Sequence, residues 1–156
     1  MKILYTLVYS CWYLLSLLPL RVLYVLSDVF YFVLAKIVKY RYQVIWENVS
    51  SAFPNYDETK KKHIINNFYA WLCDYFVETV KLMTMSEAEV KRRMVFIGCE
   101  NLDKNWADKR SVAVYLGHYG QWEWITSLPL WLHSDGKCTQ IYHPLENKIF
   151  DKIFLK

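Results

Sequence analysis

The sequence has few of the residues that mark loops, linkers and disulfide frameworks. Only four glycines and four prolines occur among 156 residues, which excludes collagen-like repeats and long disordered tracts. The four cysteines are scattered without a C-x-x-C pair, so their spacing supports neither a zinc site nor a set of disulfides. A reducing, cytoplasm-facing compartment is the simpler expectation, and the length predicts about one domain.

The excess of basic charge is also small. The formal net charge is +4, from 19 basic and 15 acidic residues. Such a surplus suits an anionic membrane surface or an acidic partner. No nucleic-acid recognition motif accompanies it, so we expect no nucleic-acid partner. We also expect no metal and no cofactor. Apolar residues are abundant: 54% of the chain is hydrophobic and 18% aromatic, which indicates contact with lipid.

The chain opens with an apolar stretch, residues 3–20, which lies between Lys2 and Arg21 and reads ILYTLVYSCWYLLSLLPL. It reaches the lower limit of the roughly 17–25 residues that a membrane-spanning helix needs. A cleaved signal peptide would need a small-residue cleavage site, and this stretch offers large aromatic residues instead. VYSC has a distant likeness to a lipoprotein cleavage box. We favour a retained anchor, with the cleaved forms as alternatives.

A second apolar segment, residues 22–38, contains Asp28. An acid at the bilayer centre costs about 3 kcal/mol, so this segment is expected to lie at the membrane interface or to pack beneath the rest of the protein. Lys36, Lys39 and Arg41 place more positive charge after the apolar zone than before it. By the positive-inside tendency, the bulk of the chain lies on the cytoplasmic side.

Helical signals dominate the middle of the chain. Asp57 is a candidate N-cap, and apolar residues recur at helical spacing from Ile64 to Met83. Ser86 and Glu89 form a capping-box pattern for a further short helix.

Strand-like and helical stretches alternate after about residue 94, and this alternation predicts an α/β fold with a mainly parallel sheet. The predicted strands are MVFIG, SVAVYL and CTQIY; the predicted helices lie in ENLDKNWADK (helix or turn), ITSLPLWL (with a break near Pro129) and KIFDKIFLK. The expected organisation is a membrane anchor and interfacial helix over 1–40, a helical segment over 41–93, and the first part of an α/β domain over 94–156. About three strands make a marginal sheet and the last predicted helix is cut short, so we expect a truncated sequence or the N-terminal half of a longer protein.

The stretch GHYGQWEW, residues 117–124, pairs a histidine with a glutamate five positions later. On a continuous helix, five residues turn the chain by about 500°, so His118 and Glu123 would point to different faces. They can meet only if His118 lies in a turn and Glu123 lies in the first turns of the helix that follows. Gly117 and Gly120 permit such a turn, and the helix can begin near Gln121. Glu123 could then fix the tautomer of His118, whose other nitrogen would face the end of the sheet and act as a general base.

Three blocks carry a resemblance to a known family. GHYGQWEW resembles the H-x4-D/E block of acyltransferases, in the GHYGNWE form of the late acyltransferases of bacterial lipid A biosynthesis, with Gln121 in place of the usual asparagine. YRYQVIWENVSSAFPN and YHPLENKIFD are similar to two other segments of that family, in the same order; His143 stands where many members have arginine. The resemblance covers essentially all 156 residues, as an N-terminal half, and the family's downstream block of functional arginine and aspartate residues is not in this sequence.

The resemblance implies an O-acyltransferase with His118 as general base and Glu123 as its orienting partner. Gly120 and Asn147 are the implied substrate-binding positions. The implied donor is an acyl carrier protein thioester or acyl-CoA, the acceptor a hydroxyl of a lipid A precursor, and the location the bacterial inner membrane with the catalytic part facing the cytoplasm. Two alternatives stay open: a glycolipid, aminolipid or lysophospholipid acceptor, and a truncated, inactive membrane protein.

Overall fold

The computed structural model describes residues 2–134 and 136–154, and every regular element in that part of the chain is helical. The elements are α1 (Lys2–Leu17), α2 (Leu20–Tyr31), a π-helix (Phe32–Val38), α3 (Tyr42–Ala52), α4 (Glu58–Leu82), α5 (Glu87–Arg93), α6 (Glu100–Ala107), a 3₁₀-helix (Trp122–Trp131) and α7 (Lys148–Phe154). They form two compact units, one of residues 1–16 and 82–156 and the other of residues 17–81.

The unit of residues 17–81 is built on α4. Its side chains at positions 65, 69, 73 and 77 are at most 3% exposed, and this spacing of four places them on one face of the helix. Hydrogen bonds join α2 to α4: the hydroxyl of Tyr24 donates to Glu78, and that of Ser27 to Asp74. Because the position along α4 falls as the position along α2 rises, the two helices run antiparallel.

The turn after the π-helix is held to the same face of α4. The hydroxyl of Tyr69 donates to the backbone carbonyl of Tyr40 at 2.7 Å. Lys39 and Arg41, on either side of Tyr40, have left-handed backbone conformations with φ of 51° and 52°. Burial raises the pKa of the Tyr69 phenol, so it stays a neutral donor over the ordinary pH range.

The other unit joins α1 to the second half of the chain. Trp12 of α1 packs edge-on against two rings of α7, with centroids 5.9 Å from Phe150 and 6.1 Å from Phe154. The hydroxyl of Thr84 donates to the carbonyl of Ser16. Further along, α5 packs against the 3₁₀-helix, and Lys91 lies over the ring of Trp131.

Two predicted helix starts are confirmed by their capping bonds. Asp57 Oδ1 accepts from the amide of Lys60 at 2.8 Å, ahead of α4. Ser86 Oγ accepts from the amide of Glu89 at 3.3 Å, ahead of α5. Each side chain satisfies an amide that the first helical turn leaves without an intrahelical partner. The helix predicted in KIFDKIFLK is α7.

The predicted α/β fold with a parallel sheet is wrong. No residue in 2–134 or 136–154 is in a strand, and the three segments expected to pair lie in irregular connections between helices. Most of their apolar side chains are exposed; Val114 and Ile141, for example, are 51% and 108% accessible, whereas Met94 and Phe96 are half-buried. β-Branched composition shows only that a segment fits a pleated surface, whereas a strand is stable only when neighbouring backbone satisfies its amides and carbonyls.

The helix predicted from ITSLPLWL also differs from its expected form. The chain continues through Pro129 without a break, as a 3₁₀-helix that ends at Trp131. No single helix among the described residues is long and apolar enough to cross a membrane; Lys2–Leu17 and Leu20–Val38 meet that requirement only as a pair separated by a break.

Candidate active site

His118 lies at the centre of a three-residue turn. The amide of Tyr119 donates to the carbonyl of Gly117 at 2.9 Å, which closes a γ-turn around the histidine. Gly120 follows with φ of +59°, a left-handed conformation that glycine adopts without strain from a side chain. The sequence prediction that His118 lies in a turn is therefore confirmed, and the imidazole is exposed.

Glu123 lies in the first turn of the 3₁₀-helix, which begins at Trp122. The placement matches the prediction, but the helix type does not: a 3₁₀-helix has three residues per turn and a rise of about 2.0 Å per residue. The imidazole of His118 packs edge-on against the indole of Trp122, with ring centroids 5.0 Å apart. The roles of His118 as base and Glu123 as its orienting carboxylate stay a prediction. The expected edge of a sheet beside them is absent from the described residues, and the histidine is positioned by the turn and by its contact with Trp122.

The phenol of Tyr142, in the resembling block YHPLENKIFD, has a raised pKa. Burial is the largest cause of the raised pKa of the Tyr142 phenol. The hydrogen bond to Asp151, the charge of Asp151 and, least of all, the charge of Glu123 raise this pKa further. The sequence alone did not single out Tyr142.

Asp151 organises the loop that precedes α7. Its Oδ1 accepts from the amide of Leu145 at 2.8 Å and from the hydroxyl of Tyr142 at 2.9 Å. The Leu145 amide is the first cause, and the Tyr142 hydroxyl the second, of a lowered pKa for Asp151. No sequence signal marked this residue, because the contact depends on how the loop folds back and not on a local pattern.

Asn147 caps α7. Its side-chain oxygen accepts from the amides of Ile149 and Phe150, at 3.0 and 3.4 Å. The resemblance implies that Asn147 is a substrate-binding position. In the structure its side chain contacts the backbone amides of α7. Its role toward substrate stays a prediction, as does that of Gly120.

Trp124, next to Glu123, is 6% exposed. Its indole Nε1 is buried and has no hydrogen-bond partner among the described residues. An unsatisfied buried donor costs about 1–3 kcal/mol, so the 3₁₀-helix carries an indole N–H that an acceptor would stabilise.

The chain matches the family described as bacterial lipid A biosynthesis acyltransferase over residues 2–156. Neither the curated proteins nor the solved structures give a match. The match to the family covers nearly the whole chain, and the chain belongs to the bacterial lipid A biosynthesis acyltransferase family. Membership makes it an acyltransferase that transfers groups other than aminoacyl groups, from an acyl donor to a lipid acceptor.

Proposed function

We propose that this protein is a membrane-associated O-acyltransferase that moves a fatty acyl group from an acyl carrier protein thioester, or from acyl-CoA, to a hydroxyl of a lipid A precursor. His118 is the general base and Glu123 orients it. The protein works at the cytoplasmic face of the bacterial inner membrane.

The observation that carries the proposal is the γ-turn at His118 followed at once by the helical turn that holds Glu123. A base must be exposed to reach a substrate hydroxyl, and the turn presents the imidazole to solvent. The family match supports the reaction type independently of this geometry.

The proposed reaction needs no covalent enzyme intermediate. One imidazole nitrogen of His118 takes the proton of the acceptor hydroxyl while the oxygen of that hydroxyl attacks the thioester carbonyl carbon. The tetrahedral intermediate then collapses, the carbon–sulfur bond breaks, and the thiol leaves with the proton from the imidazolium. The carboxylate of Glu123 stabilises the imidazolium between these two steps.

Exposed apolar side chains support the membrane association. On α1, Ile3 is 87% exposed and Leu14 63%, and on α2, Val25 is 62% exposed. Large exposed apolar surfaces mark contacts with membranes or other proteins. Lys36, Lys39 and Arg41 at the end of this region carry the charge that attracts anionic headgroups.

The first test is His118→Ala, with acyl transfer from acyl carrier protein to a lipid A precursor as the measurement. We expect a rate loss of at least about 100-fold, because general base catalysis typically contributes 10²–10⁴-fold. Glu123→Gln should also lower kcat, since the neutral amide does not stabilise the imidazolium.

The matched control is His63→Ala, which removes another exposed histidine, from α4. It should leave turnover unchanged. Normal turnover in His118→Ala would refute the assigned base, and normal turnover in Glu123→Gln would reduce Glu123 to a residue of the 3₁₀-helix. Transfer to another glycolipid but not to a lipid A precursor would refute the proposed acceptor.

A further inference from the structure

An open cavity of about 570 Å³ lies at the C-terminal end of α6. Its walls are the end of that helix, the residues that follow it, and the loop after the 3₁₀-helix. The lining residues are Trp106, Ala107, Lys109, Arg110, Ser111, Ser134, Gly136 and Lys137. They include three cations and two hydroxyls, and none of these described residues is acidic. They take no part in the reaction proposed for His118.

The first wall is fixed by the way α6 ends. Lys109 has a left-handed conformation with φ of 57°, and its amide donates to the carbonyl of Trp106 at 2.8 Å. The amide of Arg110 donates to the carbonyl of Asn105 at 2.8 Å. These bonds satisfy carbonyls at the end of the helix and set the direction of the chain that carries both cations.

The opposite wall is held by Asp103 of α6. Its Oδ1 accepts from the amide of His133 at 3.1 Å, and from the amide and hydroxyl of Ser134 at 3.0 and 2.6 Å. The Ser134 hydroxyl is the first cause of a lowered pKa for Asp103, so the carboxylate stays charged and bound to the loop. Asp135, the next residue in the chain, lies outside the described residues.

Part of the cavity lining depends on a close approach between the backbone of Gly136 and the ring of Trp106. Gly136 packs against the six-membered ring of Trp106, where a Cβ atom would overlap the indole. Only glycine lets the backbone come so near, and Lys137 follows directly. The loop is therefore placed by two independent contacts, the bonds to Asp103 and the packing on Trp106.

We propose that this cavity binds a phosphate group. An arginine offers a planar fork of donors that matches phosphate oxygens, and lysines add point charges to it. Three cations carry more charge than a singly charged carboxylate ligand would balance, and this number suits a doubly charged phosphate. A volume of about 570 Å³ also leaves room for the molecule that carries the phosphate.

The test is titration of the full protein with inorganic phosphate by isothermal calorimetry at constant ionic strength. Lys109→Gly removes one cation from the lining, and glycine suits the left-handed position, so the variant should fold normally. We expect binding to weaken about three- to tenfold, the range for one partly exposed charged contact.

The matched control is Lys39→Gly. Lys39 has almost the same left-handed φ, 51°, is exposed, and does not line the cavity. It should bind phosphate like the unmodified protein. Arg110→Ala and Lys137→Ala should each weaken binding as Lys109→Gly does. No saturable binding, or equal weakening by Lys39→Gly and Lys109→Gly, would overturn the proposal.

Vesicle flotation separates two sources of the phosphate. If the ligand is a lipid headgroup, Lys109→Gly will float less with phosphatidic acid vesicles than Lys60→Ala, which removes an exposed lysine outside the cavity and outside residues 36–41, and both will float alike with phosphatidylcholine. If the ligand is a soluble phosphate compound, the calorimetric difference will persist and flotation will be equal. Either result supports a phosphate site, and a difference with phosphatidylcholine alone would contradict it.

Discussion

Individual side chains at the first turns of α5 and α7 make local contacts that stabilise these short helices. The oxygen of Asn147 accepts from two amides of α7, and the carboxylate of Glu89 pairs with Arg92 and Arg93 on α5. The first is a cap that the sequence did not predict. The second replaces the reciprocal bond of the predicted capping box, because two guanidinium groups at i+3 and i+4 compete for that carboxylate.

The cap at Asn147 gives a stability prediction. Asn147→Ala should lower the free energy of unfolding by about 1 kcal/mol, the usual cost of losing an N-cap, as measured by urea denaturation. Asn147→Asp keeps a capping oxygen and should restore the stability. Unchanged stability in the alanine variant together with lost acyl transfer would instead favour the substrate-binding role.

The pair of arginines at Glu89 gives a pH prediction. Hydrogen bonds from Arg92 and then Arg93 lower the pKa of Glu89 from its ordinary 4.5 to about 2. A lowered carboxyl pKa stabilises the folded state above the unfolded pKa, and this contribution is lost as pH falls from about 4.5 toward about 2. Carboxyl-detected NMR should give a midpoint near 2 for Glu89 and a higher one in Arg92→Ala. A midpoint of 4.5 in both proteins would contradict the pairing.

At the scale of the elements, the sequence predicted α4 and α5 correctly, but it also predicted three strands that the described residues do not form. Period and capping residues located α4 and α5, because both signals are local to each helix. MVFIG, SVAVYL and CTQIY have strand-like composition, but whether a strand forms depends on the backbone beside it, which no local pattern reports. The γ-turn at His118 was predictable from its glycines, whereas the hydrogen bonds that Asp151 accepts from Tyr142 and from the amide of Leu145 were not.

The antiparallel contact of α2 with α4 gives a prediction for elements. Ser27 is 2% exposed and its hydroxyl donates to Asp74 at 2.6 Å. Ser27→Ala leaves that carboxylate oxygen without its donor, so the free energy of unfolding should fall by about 1–3 kcal/mol in urea denaturation.

Ser50→Ala is the matched control for this experiment. The Oγ of Ser50 is buried and has no hydrogen-bond partner in the part of the chain that the structure describes. The same substitution there should change stability by no more than about 0.5 kcal/mol. Equal losses in the two variants would show that the Ser27–Asp74 bond contributes nothing specific.

Over the whole molecule, exposed apolar side chains occur on helices of both units. Leu7 of α1 is 61% exposed in one unit, and Val25 of α2 is 62% exposed in the other. Ile97 is 96% exposed between α5 and α6. The proposed membrane contact through α1 and α2 is tested by comparing substitutions of these three side chains.

Leu7→Glu and Val25→Glu should each reduce flotation with anionic vesicles by about tenfold or more, because burial of one such side chain contributes about 1.5–3 kcal/mol. Both side chains are exposed, so neither change should affect folding. Ile97→Glu adds the same charge at a more exposed position outside the two helices and should float as the unmodified protein does. Equal flotation of all four proteins would contradict a membrane contact through α1 and α2.

The hydrogen bonds between α2 and α4 have a consequence for how the chain assembles. Tyr24 meets Glu78, Ser27 meets Asp74, and Lys36 of the π-helix meets Asn66. Apolar contacts tolerate sliding, but these bonds are directional. A slip of one helical turn, about 5.4 Å, would bring at most one of the two hydroxyls opposite a carboxylate again, because Asp74 and Glu78 are one turn apart, and the other bonds would be lost. These hydrogen bonds therefore fix the register of the two helices, because they favour one alignment over others that differ by a helical turn.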